Sequence, residues 1–357
     1  MNLIKHPSQV ISNDLVLAIR QLSNEAEQLK EMHPAQLNII YEQKWFKIFI
    51  PKAYGGLALS LPQALHLEEA TAWTDGAVGW TITLCAGAAW FAGFLHQELA
   101  AAVFDDKISC LAGSGKATGI ASKSGTCYEV TGHWKYATGA RVATAFTANC
   151  LVEEAGTLLK DNSGNLLVRS FLFMANEVII HETWRTVGMI STGSHSFEVK
   201  KLTVPPNRSF IVNDVNVVLK QPIYQYPFLQ LAETTLAVNS SGMALRFLEL
   251  SVDYIQPGTS ATSLLRRARL RMETLRKEFY TVVEDSWTKY SNNRISSSAE
   301  LASVSKLSRK LALTSRAAVD KIYPFCGMQA ANVDSEINRV WRNLHTASQH
   351  SLFNAEK

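Results

Sequence analysis

A chain of 357 residues is longer than one hydrophobic core usually supports, so two or three domains are expected. With 47% hydrophobic and 18% charged residues it has the make-up of a protein with a large buried fraction, and a net charge of +4 gives no general affinity for polyanions. No apolar run is read as reaching the roughly 18 residues of a membrane helix, and Met1-Asn-Leu-Ile-Lys-His6 lacks the layout of a signal peptide, so a cytoplasmic protein away from membranes is expected.

In chain order, residues 12 to about 105 read as helices. Leu15, Ile19, Leu22, Ala26 and Leu29 recur three and four apart, one apolar stripe along a helix. Pro51-Lys-Ala-Tyr-Gly-Gly56 then breaks the pattern, because Pro fixes one dihedral and paired Gly permit positive φ. Helix resumes from Leu61 to Val103. Near Ser109 the period changes: Cys127–Gly132, Trp134–Thr138, Ala148–Val152, Val168–Phe173 and Phe197–Pro205 are short β-branched or aromatic runs punctuated by Gly, Asn and Ser. From Tyr224 the helical period returns, and Leu301, Val304, Ser308, Leu311, Ser315, Ala318 and Ile322 make the stripe of a close-packed bundle helix. Ser297 and Glu300 form a capping box at its start. The expected division is an N-terminal all-α domain (1–108), a middle β domain (109–218) and a C-terminal helical bundle (219–357).

Five cysteines (Cys85, Cys110, Cys127, Cys150, Cys326), odd in number and never in C-x-x-C, read as reduced buried thiols rather than a disulfide framework or zinc site. His345 and His350, five apart on a helix, sit on different faces, so no metal site is expected. The basic cluster Arg266, Arg267, Arg269, Arg271, Arg276 and Lys277 alternates with Leu and Met at helical spacing and reads as a solvated or subunit-facing helix side; nucleic acid would need a broader basic face with stacking aromatics.

Three segments carry a resemblance: Pro51–Gly56, Trp184-Arg-Thr-Val-Gly-Met-Ile-Ser-Thr-Gly-Ser194, and Trp341-Arg-Asn-Leu-His-Thr-Ala-Ser-Gln-His350. Together they resemble the acyl-CoA dehydrogenase superfamily, and within it the reduced-flavin-dependent, two-component monooxygenase branch (group D). The resemblance implies an acyl-CoA dehydrogenase-like fold with a β-barrel or sandwich between the helical domain and a four-helix bundle. It implies a flavin, FAD or FMN, lying between the β domain and the bundle, a tetramer or dimer, a partner reductase and a small organic substrate.

Carried onto this chain, the family's Gly-x-x-x-Trp-x-Thr strand is loosely matched by Gly132–Thr138, with Tyr136 in place of Trp. Trp134, Tyr136, Thr138 and Gly139 are then expected at the flavin, with Trp184, Thr192 and Ser194 bordering the flavin and substrate cavity; His133 and His195 are second candidates. Read without the resemblance, an alternating strand with Trp134 and Tyr136 is one face of a sheet, and Thr-Gly-Ser is an ordinary turn.

Aligned on Arg342, Ser351 stands where dehydrogenases carry their catalytic Glu, and serine cannot abstract an α-proton at neutral pH. Some relatives carry that base on an earlier helix, which points to Glu233. The Arg-x-x-Phe-Gly segment that holds the FAD adenosine in dehydrogenases is missing. In the oxygenase branch a His at the end of this helix faces the flavin as acid/base, which points to His350. The expected function is a two-component monooxygenase acting on an aromatic or other small substrate; the alternatives are an FAD-dependent acyl-CoA dehydrogenase using Glu233 and a non-catalytic homologue retaining the fold.

Overall fold

The computed structural model describes residues 4–353. Six helices come first: α1 (Asn13–Gln21), α2 (Ser23–Leu29), α3 (Pro34–Glu42), α4 (Leu61–Thr74), α5 (Gly76–Ala89) and α6 (Gln97–Phe104). Eight strands follow, β1 (Leu111–Ser124), β2 (Cys127–Ala137), β3 (Ala145–Glu154), β4 (Thr157–Leu158), β5 (Val168–Met174), β6 (Ile179–His181), β7 (His195–Val204) and β8 (Ser209–Phe210). Five helices close the described chain: α7 (Pro222–Gln225), α8 (Phe228–Tyr254), α9 (Ser260–Ser291), α10 (Ser298–Ile322) and α11 (Glu336–Ala347).

Two expected helices are broken. The stripe from Leu15 to Leu29 crosses a junction, where Leu22 ends α1 and precedes α2, and Leu29 is half-exposed. The run from Leu61 breaks at Asp75, whose extended backbone (φ −153°, ψ 126°) stops α4 while its carboxylate accepts the Ala77 and Val78 N–H groups at 2.9 and 3.0 Å and so caps α5. The uncharged stretch Gly76–Phe94 is long and apolar enough to cross a membrane, contrary to the expectation from sequence, but most of it is buried inside the fold, which makes it a core element.

α4, α5 and α8 meet almost backbone to backbone. A Cβ on Gly79 would lie 2.4 Å from the Ala72 main chain, and one on Gly242 2.2 Å from the Glu69 carbonyl oxygen. α8 also packs on α10 and α11, and α9 on α10. The Ser297–Glu300 capping box forms, Glu300 accepting the Ser297 N–H at 2.8 Å. The buried positions of α10 follow the predicted stripe from Val304 to Ile322.

The strands pair as one mixed sheet in the order β6-β7-β2-β1-β3-β5-β8, with β4 on β3, and only β1 and β3 run parallel. Three strand steps of about 4.8 Å separate β2 from β5, yet Trp134 on β2 and Phe173 on β5 have ring centroids 5.9 Å apart. The sheet therefore curls around its own aromatic core, barrel-like but open between the edge strands β6 and β8. β1 carried little strand signal because it is rich in Gly, Ala and Ser. Its small residues answer to packing: a Cβ on Gly119 would lie 2.2 Å from the Trp134 indole, and one on Gly113 2.4 Å from the Thr147 hydroxyl.

Candidate active site

β2 ends in a bulge, with a register shift against β7 between Trp134 and Ala137. At the bulge Tyr136 adopts φ +68°, which few non-glycine residues do, and this turns its ring outward, 64% exposed, edge-on to Trp184 at 6.2 Å. Trp134 points the opposite way. It is fully buried, stacked on Phe197 at 5.1 Å, with its indole N–H donated to the Asn149 carbonyl. Alternation alone would put both rings on one face; the bulge separates them, and Trp134 belongs to the β core rather than to the surface a cofactor could reach. His133, also on the outer side, is exposed and lies 5.4 Å from His181.

Past the bulge the chain meets the 184–194 turn. The Thr138 and Ser194 hydroxyls are 2.8 Å apart, Ser194 and Thr192 are 2.7 Å apart, and Thr192 donates to the Met189 carbonyl at 2.9 Å. Each hydroxyl has one proton, so the chain has one direction: Thr192 gives to Met189, Ser194 to Thr192, and Thr138 to Ser194. Thr138 is left with lone pairs only, an acceptor for any ligand N–H. All three residues are buried. Gly139 (φ +72°) gives its N–H to the Thr192 carbonyl, so that donor is spent, and a Cβ there would sit 2.9 Å from Cys85 Sγ of α5. His195 Nδ1 accepts the Trp184 N–H at 3.2 Å; burial, then the Arg141 charge, holds its pKa below the ordinary value.

The turn is fixed to α11. Asn343 Oδ1 accepts the Met189 N–H at 2.6 Å, the Trp184 indole N–H reaches the Met189 carbonyl at 2.8 Å, and a Cβ on Gly188 would lie 2.1 Å from the Arg342 carbonyl oxygen. Arg342 adds a bond to the Val187 carbonyl at 2.9 Å and an ion pair with Glu27 of α2 at 2.7 Å. α11 then delivers His350, whose ring lies 6.0 Å from Trp80 of α5. The Leu352 N–H donates to His350 Nδ1 at 3.3 Å, which puts the proton of the neutral ring on Nε2 and presents it as a donor. Burial lowers the His350 pKa, so this neutral form prevails at pH 7.

Glu233 is not a surface residue. It is buried on α8 with Oε1 accepting from Arg309 of α10 at 3.0 Å, while Oε2 has no partner. Asn239, six residues on and about 240° round the helix, faces α5 through Thr83 at 2.9 Å. Glu233 therefore faces α10, away from the α5 side where Thr138, Ser194 and Trp80 lie, and does not fit the base of a dehydrogenase. The basic cluster is corrected too: Arg276 is buried against Glu69 at 2.6 Å. Arg267, Leu270, Arg271 and Lys310 line a cavity of about 410 Å³ between α9 and α10, and none of its lining residues belongs to the site just described.

α5 contributes residues that the sequence did not single out. Only Leu84 and Gly87 in this helix are not fully buried. α5 is apolar all round, so no periodicity marked its open face.

Residues 226–355 match the family model described as acyl-CoA dehydrogenase, C-terminal domain. The chain is similar to the indole-3-acetate monooxygenase of Acinetobacter baumannii, 24% identical over 320 residues that cover 86% of this chain and 80% of the relative. Among solved structures it is similar to the HsaA monooxygenase from Mycobacterium tuberculosis (TM-score 0.90, 20% identity, 99% of this chain and 95% of that one). It is also similar to XiaF from Streptomyces sp. in complex with FADH2 and glycerol (TM-score 0.87, 18% identity, 98% and 92%). Residues 226–355 thus match the acyl-CoA dehydrogenase C-terminal domain, and over most of its length the chain is similar to flavin-dependent monooxygenases.

Proposed function

We propose that this protein is the oxygenase component of a two-component flavin-dependent monooxygenase, taking reduced FAD or FMN from a separate reductase and acting on an aromatic or other small organic substrate. The observation that carries the reading is the direction of the hydroxyl chain. Thr138 can only accept, which suits the N–H that a reduced isoalloxazine carries at its central ring and an oxidised one lacks. Tyr136 and Trp184 offer apolar surface beside it, and Thr192 and Ser194 orient Thr138. Bound there, reduced flavin supplies the two electrons that let one atom of O2 enter the substrate while the other leaves as water.

This chain's own part is to hold and to exclude water. His350, neutral and offering Nε2–H, steadies negative charge that develops on oxygen and returns a proton to it. The dehydrogenase reading lacks its base, since Glu233 is turned to Arg309. The chain divides into three parts, 1–108, 109–218 and 219–357, and works in the cytoplasm as a homotetramer or dimer; exposed Leu270 and Leu313 on α9 and α10 support self-association.

Equilibrium binding tests the proposal: reduced FMN or FAD should bind at least about tenfold more tightly than the oxidised form, and Thr138→Val should abolish that preference. One 18O atom from 18O2 should appear in the product. Tight binding of oxidised flavin with its full reduction by an acyl-CoA would overturn the reading.

A further inference from the structure

The one loose place in α5 lies over Gly87. Elsewhere the helix is packed to contact: a Cβ on Gly76 would meet Met243 Sδ at 2.6 Å and one on Gly79 the Ala72 main chain at 2.4 Å. At Gly87 a Cβ would meet nothing within 4 Å, and its φ is not positive. Neither packing nor backbone geometry calls for glycine at mid-helix, where it is among the least favourable residues. What glycine leaves there is space.

The helix places that space. At about 100° per residue, Trp80, Leu84 and Gly87 fall within one sector of about 60°, and Phe91 follows in the 3-10 turn just past the helix end. On one flank Cys85 touches the Thr138 carbonyl at 3.6 Å; on the other Thr83 holds Asn239 of α8. Trp80 at the near end adjoins His350, and at the far end Phe91 lies 5.3 Å from Phe228, itself 40% exposed. The stripe is apolar and aromatic with polar groups along both edges, the composition of a seat for a flat ring.

We propose that this stripe is the substrate seat, and that the missing side chain at Gly87 determines how long a ring system it admits. This rests on the monooxygenase reading above. Trp80 to Gly87 is about 10 Å along the axis. A single ring held beside Trp80 and His350 ends short of Gly87, whereas a fused-ring substrate extends over it. The substrate class is accordingly a fused aromatic rather than a monocyclic one.

The test measures binding of phenol and 2-naphthol, by equilibrium dialysis, to the wild-type protein, Gly87→Ala and Gly87→Leu, alongside binding of reduced FMN and the thermal midpoint. Gly87→Leu should weaken 2-naphthol by about tenfold or more and leave phenol and reduced FMN within about twofold, at an unchanged or higher midpoint. Gly87→Ala should produce a smaller loss in the same order, which keeps the test decisive if the leucine variant folds poorly. Equal effects on both ring probes, or loss of FMN binding in place of 2-naphthol binding, would overturn the proposal. A wild-type protein that binds 2-naphthol but no reduced flavin would instead overturn the monooxygenase reading and leave the seat standing.

Discussion

Two neighbouring carboxylates on α4 are both fully buried, and their surroundings have opposite consequences. Glu69 faces α9: burial alone would raise its pKa, but Arg276 at 2.6 Å, with bonds from Ser241 and Tyr280, outweighs burial and leaves it low. Glu68 faces the α5 side with neither oxygen in a hydrogen bond; burial raises its pKa well above 4.5, and the nearby Thr83 hydroxyl offsets this only in part. Around Glu69 both oxygens are saturated with partners. The side next to the site keeps spare acceptors, Asn239 Oδ1 among them. Burial is the same in both places, so partners decide the charge.

The comparison breaks most visibly at Glu69. Glu69→Ala strands the Arg276 charge in the interior and should cost about 3–5 kcal/mol of unfolding free energy in urea. A loss of under about 1 kcal/mol would mean that the pair is as dispensable as an exposed one. On the site side the expected loss is of rate instead. His350→Ala should slow the chemical step by about 10²-fold while stability changes by less than about 1 kcal/mol, and Glu233→Gln should leave turnover nearly intact. Because burial lowers the His350 pKa, the acid limb of its pH–rate profile should fall below the ordinary 6.5.

Glu68→Gln is the sharper probe. With its folded pKa raised, wild-type Glu68 favours folding at low pH, and that contribution is lost as pH rises from about 4.5 toward the folded pKa. The glutamine variant has no such loss. It should be near wild type at pH 4 and more stable by on the order of 1 kcal/mol at pH 7; an advantage independent of pH would show that Glu68 is not held protonated. The smallest effect is expected at Gly87→Ala, a gain of about 0.5–1 kcal/mol from helix propensity, since the added methyl meets nothing.

Much of the fold was legible because period and caps are local: the return to helix after Tyr224, the α10 stripe and the Ser297–Glu300 box all follow from neighbours in sequence. Thr138, Thr192 and Ser194 were found through the family pattern, and they do come together. What stayed hidden depends on distant contacts. Trp134 and Tyr136 alternate along one strand, and only the bulge and the curl of the sheet decide which one is buried. β1 is glycine-rich because Trp134 and Thr147 press on it. Arg342 stood out as an alignment anchor, but its work is to tie α2 and the 184–194 turn to α11, through partners as far as 315 residues away.

That tie has a consequence for how the protein comes into being. The Met189 N–H finds its acceptor 154 residues later, on Asn343. Loop closure over such a span is slow compared with forming the helices and hairpins on either side. During folding the turn that carries Thr192 and Ser194 therefore waits, without its anchor, until α11 is in place. A chain cut short before α11 would lack the acceptor for the Met189 N–H, the Arg342 contact with the turn, and His350, and so would have no assembled site.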